Sequence, residues 1–202
     1  LLKEGFPFVT HGRTARMAEH DWFDIDGEKA FMDATSHLIK LGHHRVGFVG
    51  GGKEFFSAQL RLKGYRKMME ETYHKKISGL EHPGNLTGLG GETAARNLLK
   101  QNSPPTAILC ANDATALGVI KAARELGLQI PQQLSVIGYD GIALGGYLDP
   151  PLTTLTFSIE ESGREIVAML LRRLKSPDLP VISKLASATL KLRGSEGPPA
   201  QD

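Results

Sequence analysis

The chain has little cysteine, few aromatic residues and no excess of charge of either sign. Its 202 residues include one cysteine, which excludes an internal disulfide framework. Only 6% of the residues are aromatic, and 24 basic against 22 acidic side chains give a formal net charge of +2. This balance lacks the basic footprint of a nucleic-acid-binding surface, so a DNA-binding element would have to lie outside these residues.

Long hydrophobic runs and targeting signals are also missing. No apolar run approaches the roughly eighteen residues that a membrane span needs, and no signal peptide is visible. A single cysteine fits a reducing compartment, so we expect a cytoplasmic protein without a membrane partner. Apolar residues make up 41% and charged residues 23% of the chain, as in an ordinary globular protein.

The fingerprints of common catalytic and metal sites are absent. There is no G-x-S-x-G nucleophile motif, and His37, His43 and His44 lack the i, i+4 spacing of helical zinc ligands. Gly50–Lys53 follows a predicted strand but matches neither phosphate-binding fingerprint, and a tight turn explains it better. Cys110 lies inside an apolar run and is interpreted as an inert buried thiol. We therefore predict no catalytic residue, no metal, no cofactor and no enzyme activity.

Residues 106–155 carry the most informative pattern. Two apolar runs, 106–111 and 134–139, stop at Asn112–Asp113 and at Asp140, with a helical pattern between them. Strand, helix and strand joined by short turns form a parallel unit, so both strands end at one edge of the sheet. Ligands of open α/β sheets bind at that edge. An amide and two carboxylates without a nucleophile predict a binding site there before a catalytic one.

Hydrophobic periodicity predicts alternating strands and helices along the rest of the chain. The predicted helices cover 27–41, 57–72, 91–101, 113–126 and 159–175. The predicted strands cover 6–10, 22–25, 45–50, 106–111, 134–139 and 185–192, with a short one near Leu80 in a poorly patterned stretch, 73–91. This order predicts the α/β class.

Several motifs follow one another in a fixed order along almost the whole chain. They are Leu41-Gly42-His43, Val46-Gly47-Phe48-Val49-Gly50, Arg61-Leu62-Lys63-Gly64-Tyr65, Ala111-Asn112-Asp113, Ala116-Leu117-Gly118, Leu134-Ser135-Val136-Ile137-Gly138-Tyr139-Asp140, Pro150-Pro151-Leu152-Thr153-Thr154 and Arg193-Gly194-Ser195. Together they resemble the effector-binding domain of bacterial transcription regulators of the lactose-repressor (LacI/GalR) family.

The resemblance implies a two-lobed, periplasmic-binding-protein-like type I fold with doubly wound parallel sheets. Residues 1–25 and 156–180 would be a remnant of the N-terminal subdomain, whose lobe is incomplete because the chain starts within the fold, after the DNA-binding headpiece. Residues 26–155 and 181–195 would form the C-terminal subdomain, and 196–202 a polar tail. Lobes joined by several crossings would form a hinged cleft.

Two residues are the main candidates for effector binding. Arg61 lies on the first turns of a predicted helix, where its guanidinium could fork hydrogen bonds to a ligand or simply cover the helix surface. Asp140 could accept from sugar hydroxyls or only form a turn. The family places its effector-binding arginine and aspartate at these two positions.

Three further candidates have alternative interpretations. Asn112 could cap the following helix, touch the ligand, or do both, whereas Asp113 is interpreted as structural. Phe56, with Phe55, could stack on a sugar or only contact the other lobe. Leu86 stands where several relatives carry an aromatic that stacks on the effector, so a saccharide is favoured over a planar base.

These observations predict the ligand-sensing domain of a bacterial DNA-binding transcription regulator. It would be a repressor that binds a small sugar or sugar derivative, forms a homodimer and reaches operator DNA through a headpiece absent from these residues. The alternative is a sugar-binding protein of an uptake transporter, which shares the fold. The residues that precede Leu1 would distinguish the two.

Overall fold

The structure is a computed structural model that describes residues 1–74 and 79–200. Residues 75–78, within the poorly patterned stretch, and residues 201–202 of the predicted tail lie outside the described residues. The strands are β1 Val9–His11, β2 Asp21–Ile25, β3 Val46–Gly50, β4 Glu81–Pro83, β5 Ala107–Cys110, β6 Ser135–Tyr139, β7 Thr153–Thr156, β8 Ser183–Ala186 and β9 Thr189–Lys191. The helices are α1 Gly27–Lys40, α2 Phe56–Tyr73, α3 Gly88–Leu99, α4 Asp113–Glu125 and α5 Ile159–Lys175. The predicted α/β class with parallel sheets is confirmed.

The chain divides into two compact units. The smaller one consists of Leu1–Asp26 and Phe157–Ala188, and the larger one of Gly27–Thr156 and the residues from Thr189 onward. The prediction assigned 181–195 to the second unit, but β8 pairs in parallel with β2 of the smaller unit. The prediction is wrong for residues 181–188, whereas residues 189–195 do lie in the larger unit. An alternating pattern indicates a strand but does not determine which strand it pairs with.

The smaller unit is a three-stranded parallel sheet, in the order β1-β2-β8, with α5 packed against β1 and β2. Arg173 of α5 donates two hydrogen bonds, of 2.9 and 2.7 Å, to the buried carboxylate of Asp21. A paired, hydrogen-bonded charge of this kind holds the helix in register on the sheet. Much of the apolar side of α5 stays exposed in this unit, at Ile159, Val167, Leu171 and Leu174.

The larger unit contains a six-stranded sheet in the order β4-β3-β5-β6-β7-β9, parallel except for β9. All residues of β3, β5 and β6 are buried, as expected for strands covered on both faces. From β3 the chain passes to β4 at one edge, whereas from β5 it passes the other way to β6. Right-handed crossovers therefore place α2 on one face and α3 and α4 on the other.

Helices on each face approach closely at glycines. On one face α1 packs on α2, where a Cβ at Gly64 would lie 2.0 Å from the carbonyl oxygen of Glu28. On the other face α3 packs on α4, where a Cβ at Gly91 would lie 2.1 Å from the carbonyl oxygen of Thr115. Backbone against backbone leaves no space for a side chain, so both contacts require glycine.

The segment after β9 is bound to the sheet rather than free. The Gly197 carbonyl lies 2.8 Å from Nε2 of His43 and 3.0 Å from Oγ of Ser135. The Ser195 hydroxyl donates to the Val136 carbonyl at 2.6 Å. The prediction of a tail from residue 196 is therefore wrong at its start, because buried His43 and Ser135 find their hydrogen-bond partner in this segment.

Cys110 in β5 is fully buried, and burial raises the pKa of its thiol well above the ordinary value, as predicted for an inert cysteine.

In the described ranges, no helix combines the length and apolar character needed to cross a membrane.

Replacing Gly91 should test the contact between α3 and α4. We expect Gly91→Ala to lower the free energy of unfolding by about 2 kcal/mol or more, because the added methyl group overpacks two backbones. Gly88→Ala is the matched control in the same helix, since a Cβ there meets only an ordinary contact at 3.5 Å. Urea unfolding of both variants measures this, and equal stability of the two would contradict the contact.

Candidate functional site

The candidate site lies at the carboxyl edge of the larger sheet. Its strands β3 and β5 are neighbours, and their connections leave in opposite directions. This reversal is the switch point at which open α/β sheets bind ligands. Arg61 lies in the second turn of α2, which follows β3, Asn112 follows β5, and Asp140 follows β6. The fold therefore brings three of the predicted residues to one edge.

Arg61 is held by two contacts in the larger unit. Its Nη1 donates a hydrogen bond of 2.6 Å to the Ala111 carbonyl oxygen. Its Cζ lies 3.8 Å from the centroid of the Tyr139 ring, which is within cation–π distance. The Nε atom is buried, and no hydrogen-bond partner for it occurs among the described residues. The guanidinium thus keeps unused donors beside the strand ends.

Asp140 combines backbone strain with a shifted pKa. Its φ of 122° lies in a region that favours glycine, although aspartate tolerates positive φ better than most residues. The Asp140 amide donates to the Leu155 carbonyl at 2.9 Å, which fixes the turn. Burial raises the pKa of its carboxyl, Arg61 lowers it and the Asp113 carboxylate raises it by a smaller amount, and the net result is a pKa of about 6. Strain of this kind is typical of binding and catalytic positions.

Asp113 is structural, consistent with its interpretation from the sequence. It is fully buried, and its Oδ1 accepts from the Thr154 hydroxyl at 2.6 Å. Its Oδ2 accepts from the Ile142 amide at 2.8 Å. A Cβ at Gly138 would lie 2.1 Å from Oδ1, so glycine is required there. The carboxylate therefore joins α4 to the loop after Asp140 and to β7.

Asn112 uses both ends of its amide within the protein. Its Oδ1 accepts from the Thr115 amide at 2.9 Å, which caps α4. Its Nδ2 donates to the Leu86 carbonyl at 3.0 Å. Leu86 has a φ of 61°, an uncommon backbone conformation for a leucine, and this hydrogen bond holds it. One N–H of Asn112 remains for a ligand, while its oxygen already has a partner.

Phe56 is the candidate that the contacts do not connect to the rest. It is the first residue of α2 and is 42% exposed. Across the residues that the structure describes, no hydrogen bond or ring contact links it to Arg61, Asn112, Asp140 or Leu86. The geometry therefore groups four of the five candidates and leaves Phe56 at the exposed start of the helix.

The structure adds contacts that the sequence did not indicate. Tyr139 is 2% exposed and was interpreted only as part of a buried strand. The Ala111 carbonyl and Gly27 also touch Arg61, since a Cβ at Gly27 would lie 3.3 Å from its Cγ. An aromatic directly before the candidate carboxylate was the available signal. Within residues 1–74 and 79–200, no three His, Cys, Asp or Glu side chains group as metal ligands would.

Comparison with known families decides what this architecture is. A family model described as a periplasmic binding protein-like domain matches residues 35–196. The chain belongs to the family of periplasmic binding protein-like domains. This domain is 34% identical over 189 residues to the HTH-type transcriptional repressor CytR of Escherichia coli K12, covering 94% of the chain and 55% of the relative. It is 35% identical over 184 residues to the ribose operon repressor of the same strain, covering 87% and 56%.

A solved structure supports the same assignment. The complex of the transcriptional regulator CelR with cellobiose superposes on this domain with a TM-score of 0.89 at 27% identity, covering 95% of the chain and 59% of CelR. The predicted resemblance to LacI-family regulators and the periplasmic-binding-protein-like fold are thereby confirmed. Both curated relatives are named as repressors, not enzymes. The domain spans about half the length of the curated relatives that it matches.

The raised pKa of Asp140 predicts a pH-dependent cost in stability. Since its folded-state pKa of about 6 lies above the ordinary value of 3.8, the unfolded chain releases this proton first as the pH rises. Wild-type stability should therefore fall relative to Asp140→Asn between about pH 4 and pH 6, by about 1–2 kcal/mol after solvent screening.

Urea unfolding of the two proteins from about pH 4 to pH 7 measures the difference. We expect the Asn variant to gain relative stability with rising pH and then level off. A constant difference across this range would show that the carboxyl titrates normally.

Proposed function

We propose that this domain is the ligand-sensing part of a DNA-binding transcription regulator, a repressor, and that it binds a small sugar or sugar derivative. The supporting observation is that Arg61 and Asp140 lie together at the sheet's switch point with hydrogen-bonding capacity to spare. Most of the Arg61 donors have no described protein acceptor. No described donor reaches the Asp140 carboxylate. Donors beside acceptors, without a nucleophile, suit recognition and not catalysis.

The pair suits a ring that carries adjacent hydroxyls. A hydroxyl can accept from the guanidinium while its neighbour donates to the carboxylate, because each hydroxyl is both donor and acceptor. Charge-assisted hydrogen bonds of this kind contribute about 1.5–3 kcal/mol each. Leu86 offers apolar area without an aromatic face, which favours a saccharide over a planar base.

The names of the relatives support the same ligand class. One curated relative is the ribose operon repressor, and the CelR structure is a complex with cellobiose. CytR is named as a helix-turn-helix repressor, which supports operator DNA as the second ligand, bound by a segment outside these residues. An uptake binding protein would share the fold, but the relatives favour the regulator. DNA as target also favours a cytoplasmic location.

From the similarity to these relatives we also propose which subdomain of the family's fold each unit represents. The smaller unit would be part of the N-terminal subdomain and the larger one the C-terminal subdomain. Effector binding would regulate DNA affinity only if sugar and DNA favour different states of the protein.

The binding proposal predicts that two substitutions weaken sugar affinity. Arg61→Ala and Asp140→Ala should each weaken binding about ten- to a hundredfold, since each removes one charged hydrogen-bonding group and 1.4 kcal/mol is about a factor of ten. Calorimetric titration with a panel that includes ribose and cellobiose measures this.

Two controls accompany the titration. Lys63→Ala removes an exposed cation from the same helix and should leave affinity unchanged. Cys110→Ser should lower the melting temperature and leave affinity nearly unchanged, because the thiol is buried. Unchanged affinity in both the Arg61 and Asp140 variants would remove the site from this edge.

We also propose that the intact protein is a homodimer, because a two-fold arrangement suits a palindromic operator. Exposed apolar side chains of the larger unit support an interface: Leu89 is 73%, Leu144 56% and Tyr147 86% exposed. Sedimentation at micromolar concentration should give the dimer mass, and Leu144→Glu combined with Tyr147→Glu should shift it towards monomer. Only monomer in the wild type would contradict the proposal.

A further inference from the structure

The guanidinium of Arg61 is seated between three elements of the larger unit. The ring of Tyr139, at the end of β6, lies 3.8 Å from its Cζ. The carbonyl of Ala111, which follows β5, accepts from Nη1 at 2.6 Å. Gly27, at the start of α1, faces the Arg61 stem, where a Cβ would lie 3.3 Å from Cγ. Arg61 therefore has a place that the protein's own groups define.

We infer that Tyr139 is a positioning residue, whose ring sets the plane of the Arg61 guanidinium and turns its unused N–H edge towards the ligand. The inference rests on the proposed sugar-binding function. One hydrogen bond to Ala111 fixes a single point of the guanidinium and leaves it free to rotate about that point. A ring face beneath the cation removes this rotation, because guanidinium groups stack on aromatic faces.

The ring can act this way because it is itself fixed. Tyr139 is 2% exposed and packs against Phe31, with ring centroids 5.8 Å apart. Phe31 is fully buried and lies in a T-shaped arrangement with Phe48, with ring centroids 5.9 Å apart, and Phe48 stacks on Tyr65 of α2 at 5.2 Å. The row of rings thus starts under the guanidinium and ends on the helix that carries Arg61. Preorganisation of this kind favours binding because less side-chain freedom is lost on binding.

An aliphatic residue at position 139 would fill the space without the same effect. It offers contact area but no negative face for a cation. Tyr139→Phe keeps the face, whereas Tyr139→Leu removes it. The two substitutions therefore separate the ring from simple bulk.

The test is a double-mutant cycle with Arg61, measured by calorimetric titration with a sugar that binds the wild type. Tyr139→Leu should weaken binding about three- to thirtyfold, and Tyr139→Phe should stay within about twofold. In the Arg61→Ala background, Tyr139→Leu should cause no further loss, because no guanidinium remains to be oriented. Equal loss in both backgrounds, or no loss in either, would overturn the inference. If Tyr139→Leu does not fold, Tyr139→Met, with similar bulk, replaces it.

A second measurement needs no sugar. In the ligand-free protein, the Arg61 Nε–H signal, identified by its disappearance in Arg61→Ala, should be shifted upfield by the Tyr139 ring current. The shift should persist in Tyr139→Phe and vanish in Tyr139→Leu. Absence of the shift in the wild type would overturn the contact between the Arg61 guanidinium and the Tyr139 ring, whatever the sugar titrations give. A shifted signal in a protein that binds no sugar of the panel would instead overturn the proposed function, while the contact between the Arg61 guanidinium and the Tyr139 ring would still be supported.

Discussion

The buried carboxylate of Asp113 holds the candidate site in shape. Asp113 is the first residue of α4. Its carboxylate accepts hydrogen bonds from the Ile142 amide, in the loop after Asp140, and from the Thr154 hydroxyl of β7. A buried carboxylate is costly unless its lone pairs are occupied, and here donors from two other segments occupy them. Burial is the main cause of the raised pKa of Asp140, and the Asp113 charge adds a smaller increase. Asp113 therefore fixes the loop geometry and also contributes to the electrostatics of the neighbouring carboxyl.

The helices and most strands of the larger unit could be predicted because they obey local rules. Apolar residues at helical spacing, capping residues and glycine stops are visible in the sequence, and by the same rules α5 of the smaller unit was predicted over the residues that form it. The strand β7 was missed because Thr153–Thr156 is short and only Leu152 separates it from two prolines. A predicted strand at 185–192 is instead β8 and β9, which pair in different sheets. Alternation has the same period in either sheet, so it does not encode the partner.

The sequence indicated the polar residues of the candidate site but not the contacts that hold them. A polar residue after a buried strand is a local signal, which located Asn112 and Asp140. Arg61 depended on resemblance, since spacing alone allowed a surface arginine. Tyr139 and the Ala111 carbonyl were missed because only the tertiary structure shows which buried ring lies under a cation. The contacts that hold a candidate side chain are thus harder to predict from the sequence than the side chain itself.

The reactivity of the single cysteine depends on whether the sheet of the larger unit is intact. Cys110 is the one thiol of the chain, and it lies fully buried in a central strand between two parallel neighbours. Alkylating reagents attack the thiolate, which burial disfavours, so the folded state protects this sulfur both sterically and electrostatically. Labelling must wait until β5 separates from its neighbours. The rate of Cys110 alkylation, followed by mass spectrometry, would therefore measure the separation of the sheet without any introduced probe.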